Sequence, residues 1–396
     1  MTADEGTPAL PHAATAQPTI QQLAGEMIEA GCRRIRVLAW RDLEDVDAGG
    51  SELHADHFMR RWAATGLEIV QRTSAAAGLP PAAARNGYLV ERRGSRYTVF
   101  PRAVARQIVE ARDYDALVEV WNGVPWFSPL WCRKPRITFL HHVHGPMWDQ
   151  LLPGPFAHAG RLLEARLAPP FYRRTLMVTP SEATRQELLG LKFRAERVVA
   201  VNNGVEASFV PGGVKADVPT IVSVGRLAPV KRQDELLTAA AVARQRVPDL
   251  QVVLVGDGPL RPALEAWVRQ HDAAGWVTLA GHRTREELVA LYQQAWVVAS
   301  ASLAEGWGLT MTEAAACGTP AVATDISGHR SSVVDGVTGV LAPLHRLGDA
   351  LADVLTHHEW RAQMAAAALA RARTLTWDAS ALGILRCLHG QVLNRR

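Results

Sequence analysis

Short apolar runs with little polar interruption recur along the chain, separated by longer stretches in which apolar residues return at helical spacing. In the first half the runs lie at residues 35–40, 116–121, 137–142 and 176–178, and the stretches at 52–65 and 97–111 carry the helical period. Strands that are apolar on both sides are buried on both faces, so the alternation predicts a parallel sheet covered by helices on each side. The turn-rich segment at residues 205–213 interrupts the pattern, which restarts with runs at 219–224, 250–255, 276–280, 296–300 and 320–324. The fold class is therefore α/β, with two Rossmann-like doubly wound domains facing a central cleft where the C-terminal ends of the strands meet. The expected division is an N-terminal extension at 1–33, disordered to residue 18 and helical over 19–31, a first domain at 34–210, a second at 211–376 and a last helix at 377–396.

Composition narrows the function classes. A chain of 396 residues with 48% hydrophobic content is long enough for two full cores. The 43 basic residues nearly balance the 39 acidic ones, which does not resemble a dedicated nucleic-acid binder. Arginine supplies almost all the positive charge, with lysine only at Lys134, Lys192, Lys215 and Lys231; with the abundant alanine, this reads as a GC-rich coding genome. Cys32, Cys132, Cys317 and Cys387 are too scattered for a zinc site or a disulfide framework. No apolar run reaches the roughly 18 residues that span a bilayer, and no leader pattern opens the chain, so a cytoplasmic location is expected. The stretch at 155–174 mixes apolar residues with Arg161, Arg166, Arg173 and Arg174, a pattern compatible with resting on anionic lipid and also with a solvated helix face.

The candidate chemistry centres on Glu305-Gly306-Trp307-Gly308-Leu309-Thr310-Met311-Thr312-Glu313. An apolar strand precedes this string and a helical stretch follows, so Glu305 falls in the turn. There the amides from Leu309 to Thr312 and the positive end of the helix dipole would attract an anion such as a diphosphate. Gly306 and Gly308 permit close backbone approach. Glu305 can accept hydrogen bonds from sugar hydroxyls, and Glu313 can grip a second diol such as a ribose. Two carboxylates also suggest a glycosidase, whose pair stands about 5 to 9.5 Å apart; on one helix eight residues would separate them by about 12 Å, a figure that the loop position of Glu305 softens, and the adjacent anion site, useless to a hydrolase, argues harder against that reading. After another strand, Gly225-Arg226-Leu227-Ala228-Pro229-Val230-Lys231 carries two cations able to hold phosphate oxygens and stabilise the charge of a departing diphosphate. The Gly49-Gly50 pair can admit a ligand against bare backbone, and His141, His142 and His144 cluster at a strand end without the Cys or carboxylate partners of a zinc site. Gly256-Asp257-Gly258-Pro259 lacks the third glycine of a dinucleotide fingerprint, its place being taken by Arg261.

These strings together resemble a known family. The Glu-x7-Glu spacing, flanked by Ser302-Leu303-Ala304 and Cys317-Gly318-Thr319-Pro320, is similar to the donor signature of the family 4 retaining glycosyltransferases, which have the GT-B fold. The resemblance implies that Glu305 faces the donor sugar and Glu313 the ribose, that Arg226 and Lys231 bind the diphosphate, and that Gly49 and Gly50 approach the donor phosphate and the acceptor. It further implies that Gly281 and His282 lie against the base, that His141 or His144 acts near the reacting carbon, and that the last helix crosses back onto an acceptor-binding first domain. The family's lysine is usually followed by glycine, whereas this chain has Arg232. The expected activity is retaining, metal-independent transfer of a sugar from a UDP- or GDP-type donor, with no resident cofactor. The acceptor would be a small molecule, a lipid-linked species or a glycan, in bacterial polysaccharide or natural-product synthesis. An epimerase or phosphorylase of the same architecture and a non-catalytic sugar-nucleotide binder are the alternative readings.

Overall fold

The computed structural model describes residues 18–46 and 48–394, so the expectation of disorder at 1–17 and the residue Asp47 lie outside it. Two sheets organise the chain. The first contains β1 (Arg34–Leu38), β2 (Glu68–Thr73), β3 (Ala82–Arg85), β4 (Tyr88–Arg92), β5 (Ala116–Trp121), β6 (Arg136–Leu140), β7 (Leu176–Thr179) and β8 (Val198–Ala200), in the order β3-β4-β2-β1-β5-β6-β7-β8. The second contains β9 (Thr220–Val224), β10 (Gln251–Val255), β11 (Val277–Gly281), β12 (Val297–Ser300), β13 (Ala321–Thr324) and β14 (Gly339–Ala342), in the order β11-β10-β9-β12-β13-β14.

One expectation needs correction: the first sheet is not wholly parallel. β3 and β4 pair antiparallel, joined through Asn86 and Gly87 with φ of 48° and 86°. An Asn-Gly pair with both residues at positive φ matches the twist of a two-residue hairpin. β2 and β4 escape a search for apolar runs because Gln71, Arg72 and Arg92 are buried within them. Arg72 is held by Glu91 and Glu110, and Arg92 by Asp42 and Glu44. Paired in this way, guanidinium groups tolerate burial.

Strand order fixes where a ligand can bind. β1 lies between β2 and β5, and β9 between β10 and β12, so in each sheet the connections diverge to opposite sides at that strand. Such a switch point leaves a crevice at the strand's C-terminal end. The loop after β1 carries Gly49 and Gly50, and the loop after β9 carries Arg226 and Lys231.

The last helix, Trp377–Leu393, packs on the first half. Its Ala381, Ile384, Leu385 and Leu388 share a core with Leu23, Met27, Phe58 and Trp62, and the Trp62 indole donates to the Ala381 carbonyl at 3.0 Å. The chain thus passes between the halves twice, and the crossings touch: Val205 N–H donates to Leu375 O at 3.0 Å, and a Cβ on Gly204 would lie 2.2 Å from Trp377 N.

The arginine-rich stretch forms the helices Gly154–Leu162 and Pro169–Tyr172 around a π-helical turn, Leu163–Leu167. It exposes Phe156, Leu167 and Phe171 beside the exposed Arg166, Arg173 and Arg174. Among the described residues no helix is long and apolar enough to cross a membrane, and no three His, Cys, Asp or Glu side chains are grouped to hold a metal ion.

Candidate functional site in the cleft

At the end of β9 the chain turns through Gly225 and a single 3-10 turn, Pro229–Lys231. This turn aims the Lys231 ammonium at Glu305 Oε1, 2.5 Å away, and Ser302 Oγ donates to the same oxygen at 2.8 Å. Burial pushes the Glu305 carboxyl up, but the Lys231 charge, His329 and the two hydrogen bonds outweigh it and hold its pKa below the usual range. Arg226 is exposed at the mouth of the same loop. Arg232 sits at φ 49° and ψ 46°, a left-handed conformation that glycine adopts without strain. The arginine therefore keeps the turn that the family's glycine would make.

Glu305 leads into the helix Leu309–Ala316 through Gly308 at φ 86°. Among the described residues no side chain caps this helix, so its first amides lack a side-chain cap bond, as an anion site requires. Trp307 is buried with its indole N–H unpartnered. Beneath the loop, the helix Ser327–Ser332 brings Gly328 against the Glu305 backbone and His329 against the Glu305 charge. His329 Nδ1 lies 2.7 Å from the Thr324 carbonyl, which leaves its Nε2 buried and unpartnered. Sequence reasoning missed His329, which stands alone inside the short helix Ser327–Ser332.

The first half supplies the opposite wall. A Cβ on Gly50 would lie 3.1 Å from Leu309 Cδ1, so the Gly49-Gly50 turn touches the start of the Leu309–Ala316 helix across the cleft. A Cβ on Gly306 would lie 3.1 Å from the His141 carbonyl oxygen, so the end of β6 meets the Glu305 loop. The His141 ring points elsewhere: it is buried, its Nε2 lies 3.2 Å from His54 Nδ1, and it packs on Phe139. The His141 ring thus lies in the core, and it is the His141 backbone that meets the Glu305 loop. His142, the member of the trio given no role, lines the cavity instead, with His144 stacked on it at 4.3 Å between ring centroids. Burial pushes His142 down to about 3, so its ring is neutral, and its Nε2 has no partner. His144 is anchored from behind by Glu164, whose carboxylate accepts from the amides of His144 and Gly145, both at 2.9 Å, and from the Trp148 indole at 3.2 Å.

These groups surround a cavity of about 260 Å³ lined by His142, His144, Glu187, Leu303, Glu305 and Ser327, among others. Glu187, on the helix Glu182–Gly190, enters from the first half beside the Ser327 hydroxyl and the Val143 amide; burial pushes its pKa up despite both. Eight residues past Glu305, Glu313 accepts from the Tyr292 hydroxyl at 3.1 Å, and burial pushes its carboxyl up to about 7. Gly281 ends β11 at φ 67°, bridged to Gly256, and His282 beyond it is exposed. The arrangement combines a cation, a carboxylate and uncapped helix amides along one wall, with two stacked imidazoles facing them.

Known proteins share this architecture. The Glycosyltransferase Family 4 model matches residues 48–209, and the Glycosyl transferases group 1 model matches residues 205–371. A D-inositol 3-phosphate glycosyltransferase from Kribbella flavida is 30% identical over 384 residues, covering 85% of this chain and 89% of that protein. Another, from Frankia alni, is 36% identical over 214 residues, and the match spans about half of each chain, 48% and 52%. Among solved structures, Anabaena Alr3699/HepE in complex with UDP and glucose superposes with a TM-score of 0.72 at 21% identity, covering 90% of this chain and all (100%) of that one. The sucrose-phosphate synthase of Thermosynechococcus elongatus gives a TM-score of 0.75 at 20% identity, over 92% of this chain and 100% of its own. With its fold shared, both family models matched and a 30% identical relative covered over 89% of its length, the chain belongs to the family 4 glycosyltransferases of the GT-B fold.

Proposed function

We propose that this glycosyltransferase is a retaining enzyme that moves a sugar from a UDP- or GDP-type donor to a hydroxyl of a small-molecule, lipid-linked or polysaccharide acceptor in the cytoplasm, without a metal ion or other cofactor. The observation that carries the reading is the Lys231–Glu305 pair beside the uncapped start of the helix Leu309–Ala316. In this reading Arg226, Lys231 and the amides of that helix hold the diphosphate, with Gly49 and Gly50 close by. Glu305 and the loop Gly306-Trp307-Gly308 orient the sugar, Glu313 binds the ribose, and the backbone around Gly281 and His282 faces the base. The bond between the anomeric carbon and the phosphate oxygen breaks, and the acceptor oxygen bonds to that carbon on the same face. The acceptor proton passes to the departing phosphate oxygen. Lys231 and Arg226 stabilise charge that grows on the diphosphate only as that bond breaks, so they lower the barrier more than they tighten ground-state binding. The neutral His142 ring forms part of the wall against which the sugar rests.

Incubation with UDP-, GDP-, ADP- and dTDP-sugars, with and without EDTA, tests the reading through nucleoside-diphosphate release and the anomeric configuration of the product by NMR. Failure of every donor to bind and release its nucleotide would sink it; an inverted product or loss of turnover in EDTA would remove retention or metal independence. The exposed Phe156, Leu167 and Phe171, in a stretch that also carries arginines, would let the protein rest on an anionic bilayer whichever acceptor it uses.

A further inference from the structure

The charged side chains among the described residues lining the cavity are Glu187 and Glu305. Glu305 belongs to the donor half and is engaged by Lys231 at 2.5 Å. Glu187 belongs to the opposite half and lies beside the neutral Ser327 hydroxyl and the Val143 amide. The first-half wall around it is built from His142, Val143, His144 and Met147, that is, two imidazoles for hydroxyl groups and apolar side chains for C–H faces. Behind that wall Glu164, buried and held by backbone amides, adds further negative potential. A carboxylate accepts hydrogen bonds and donates none, so it favours hydroxyl donors and opposes a second anion at contact distance.

We propose that Glu187 selects the acceptor: its carboxylate takes hydrogen bonds from the hydroxyls of an uncharged polyol or glycoside and disfavours acceptors that carry phosphate. The inference rests on the transferase reading above and names the substrate class of the same cleft. It sets this chain apart from the D-inositol 3-phosphate after which its relatives are named. Glu187 also faces Ser327 across the cleft, so a merely structural role as a contact between the halves must be told apart from acceptor binding.

The test uses the full-length enzyme and whichever of the four donors it cleaves fastest, with myo-inositol, methyl α-glucopyranoside and D-inositol 3-phosphate as acceptor probes. Transfer to the uncharged probes should exceed transfer to the phosphorylated one by about tenfold or more in kcat/KM. Glu187→Gln should raise the acceptor KM about tenfold while the donor KM moves less than about twofold, and Glu187→Lys should reverse the order of the probes. A contact between the halves would instead raise the donor KM, and Ser327→Ala would reproduce it. A preference for D-inositol 3-phosphate in the wild type, or an acceptor KM indifferent to Glu187→Gln, would overturn the proposal. Because nucleotide release in the absence of acceptor reports on the donor site alone, failure of the acceptor assignment is distinguishable from failure of the transferase reading.

Discussion

Gly328 lies so close to Glu305 that a Cβ built on it would stand 2.3 Å from the Glu305 carbonyl oxygen and 2.5 Å from its Cβ. Backbone cannot yield by that much locally, so the Glu305 loop is held in place by the absence of a side chain on the neighbouring helix. Gly328→Ala should therefore displace Glu305 from Lys231 and lower turnover at least about tenfold. Gly25→Ala, where a Cβ meets nothing within 4 Å, serves as the control and should leave turnover unchanged. Equal turnover in both variants would show that the loop's position is not set by this contact.

Removing the cation tests the electrostatic role. Lys231→Ala should cut kcat by roughly a hundred- to a thousandfold with the fold retained, while Lys231→Arg, which keeps the charge in another shape, should recover part of the loss. Because Lys231 is the main group holding Glu305 below its usual range, the acid limb of the pH–rate profile should move upward in Lys231→Ala. Near-normal turnover, measured as nucleotide release at saturating donor, would refute the assignment.

Glu313 gives a pH signature of opposite sign. Its folded pKa is raised to about 7 from 4.5, so between those values the folded chain holds a proton that the unfolded chain has lost. The resulting stabilisation is fully present below the lower value and is lost as pH rises through the upper one. Chemical denaturation at pH ~5 and ~8 should show wild-type stability falling with pH relative to Glu313→Gln. Donor affinity should rise over the same window, as the ionised carboxylate becomes a better acceptor for a ribose diol. A Glu313→Gln curve parallel to the wild type across that window would remove the argument.

Arg232 carries a left-handed backbone at φ 49°. Arg232→Gly should relieve about 1 kcal/mol of strain, less what glycine loses through the freedom of the unfolded chain, and should leave donor turnover intact. Thermal unfolding and nucleotide release measured together check both halves of this expectation.

The exposed Phe156 and Phe171 beside Arg166, Arg173 and Arg174 should bind anionic vesicles in preference to zwitterionic ones, and less well as salt rises. Flotation of Phe156→Ser/Phe171→Ser should then show loss of that binding. Equal flotation of this variant and the wild type would exclude the patch as the contact.

Much of the architecture was legible because both-sided burial leaves apolar runs: the run at 116–121 coincides with β5, and the second-half runs overlap β9 to β13. β2 and β4 were illegible for the converse reason, since ion-paired arginines replace aliphatic side chains at their buried positions. At the site, Lys231 and Glu305 stood out by residue type and spacing, and they meet directly. The histidine cluster could not be resolved by spacing, because only the pleat at the end of β6 decides which ring faces the cavity, and it chooses His142 over His141. Glu187 and His329 each lie alone in ordinary helical sequence, and only the folding of distant segments onto one cleft gives them neighbours.

The paired crossings at Val205 and Leu375 mean that neither half is a free-standing cassette. A gene cut between them would strip the first half of the helix that fills its core and would leave the second trailing an apolar tail. Exchange of donor modules between such enzymes must therefore carry the tail's complementary surface along with it. Any opening and closing of the cleft must run through these two adjoining tethers.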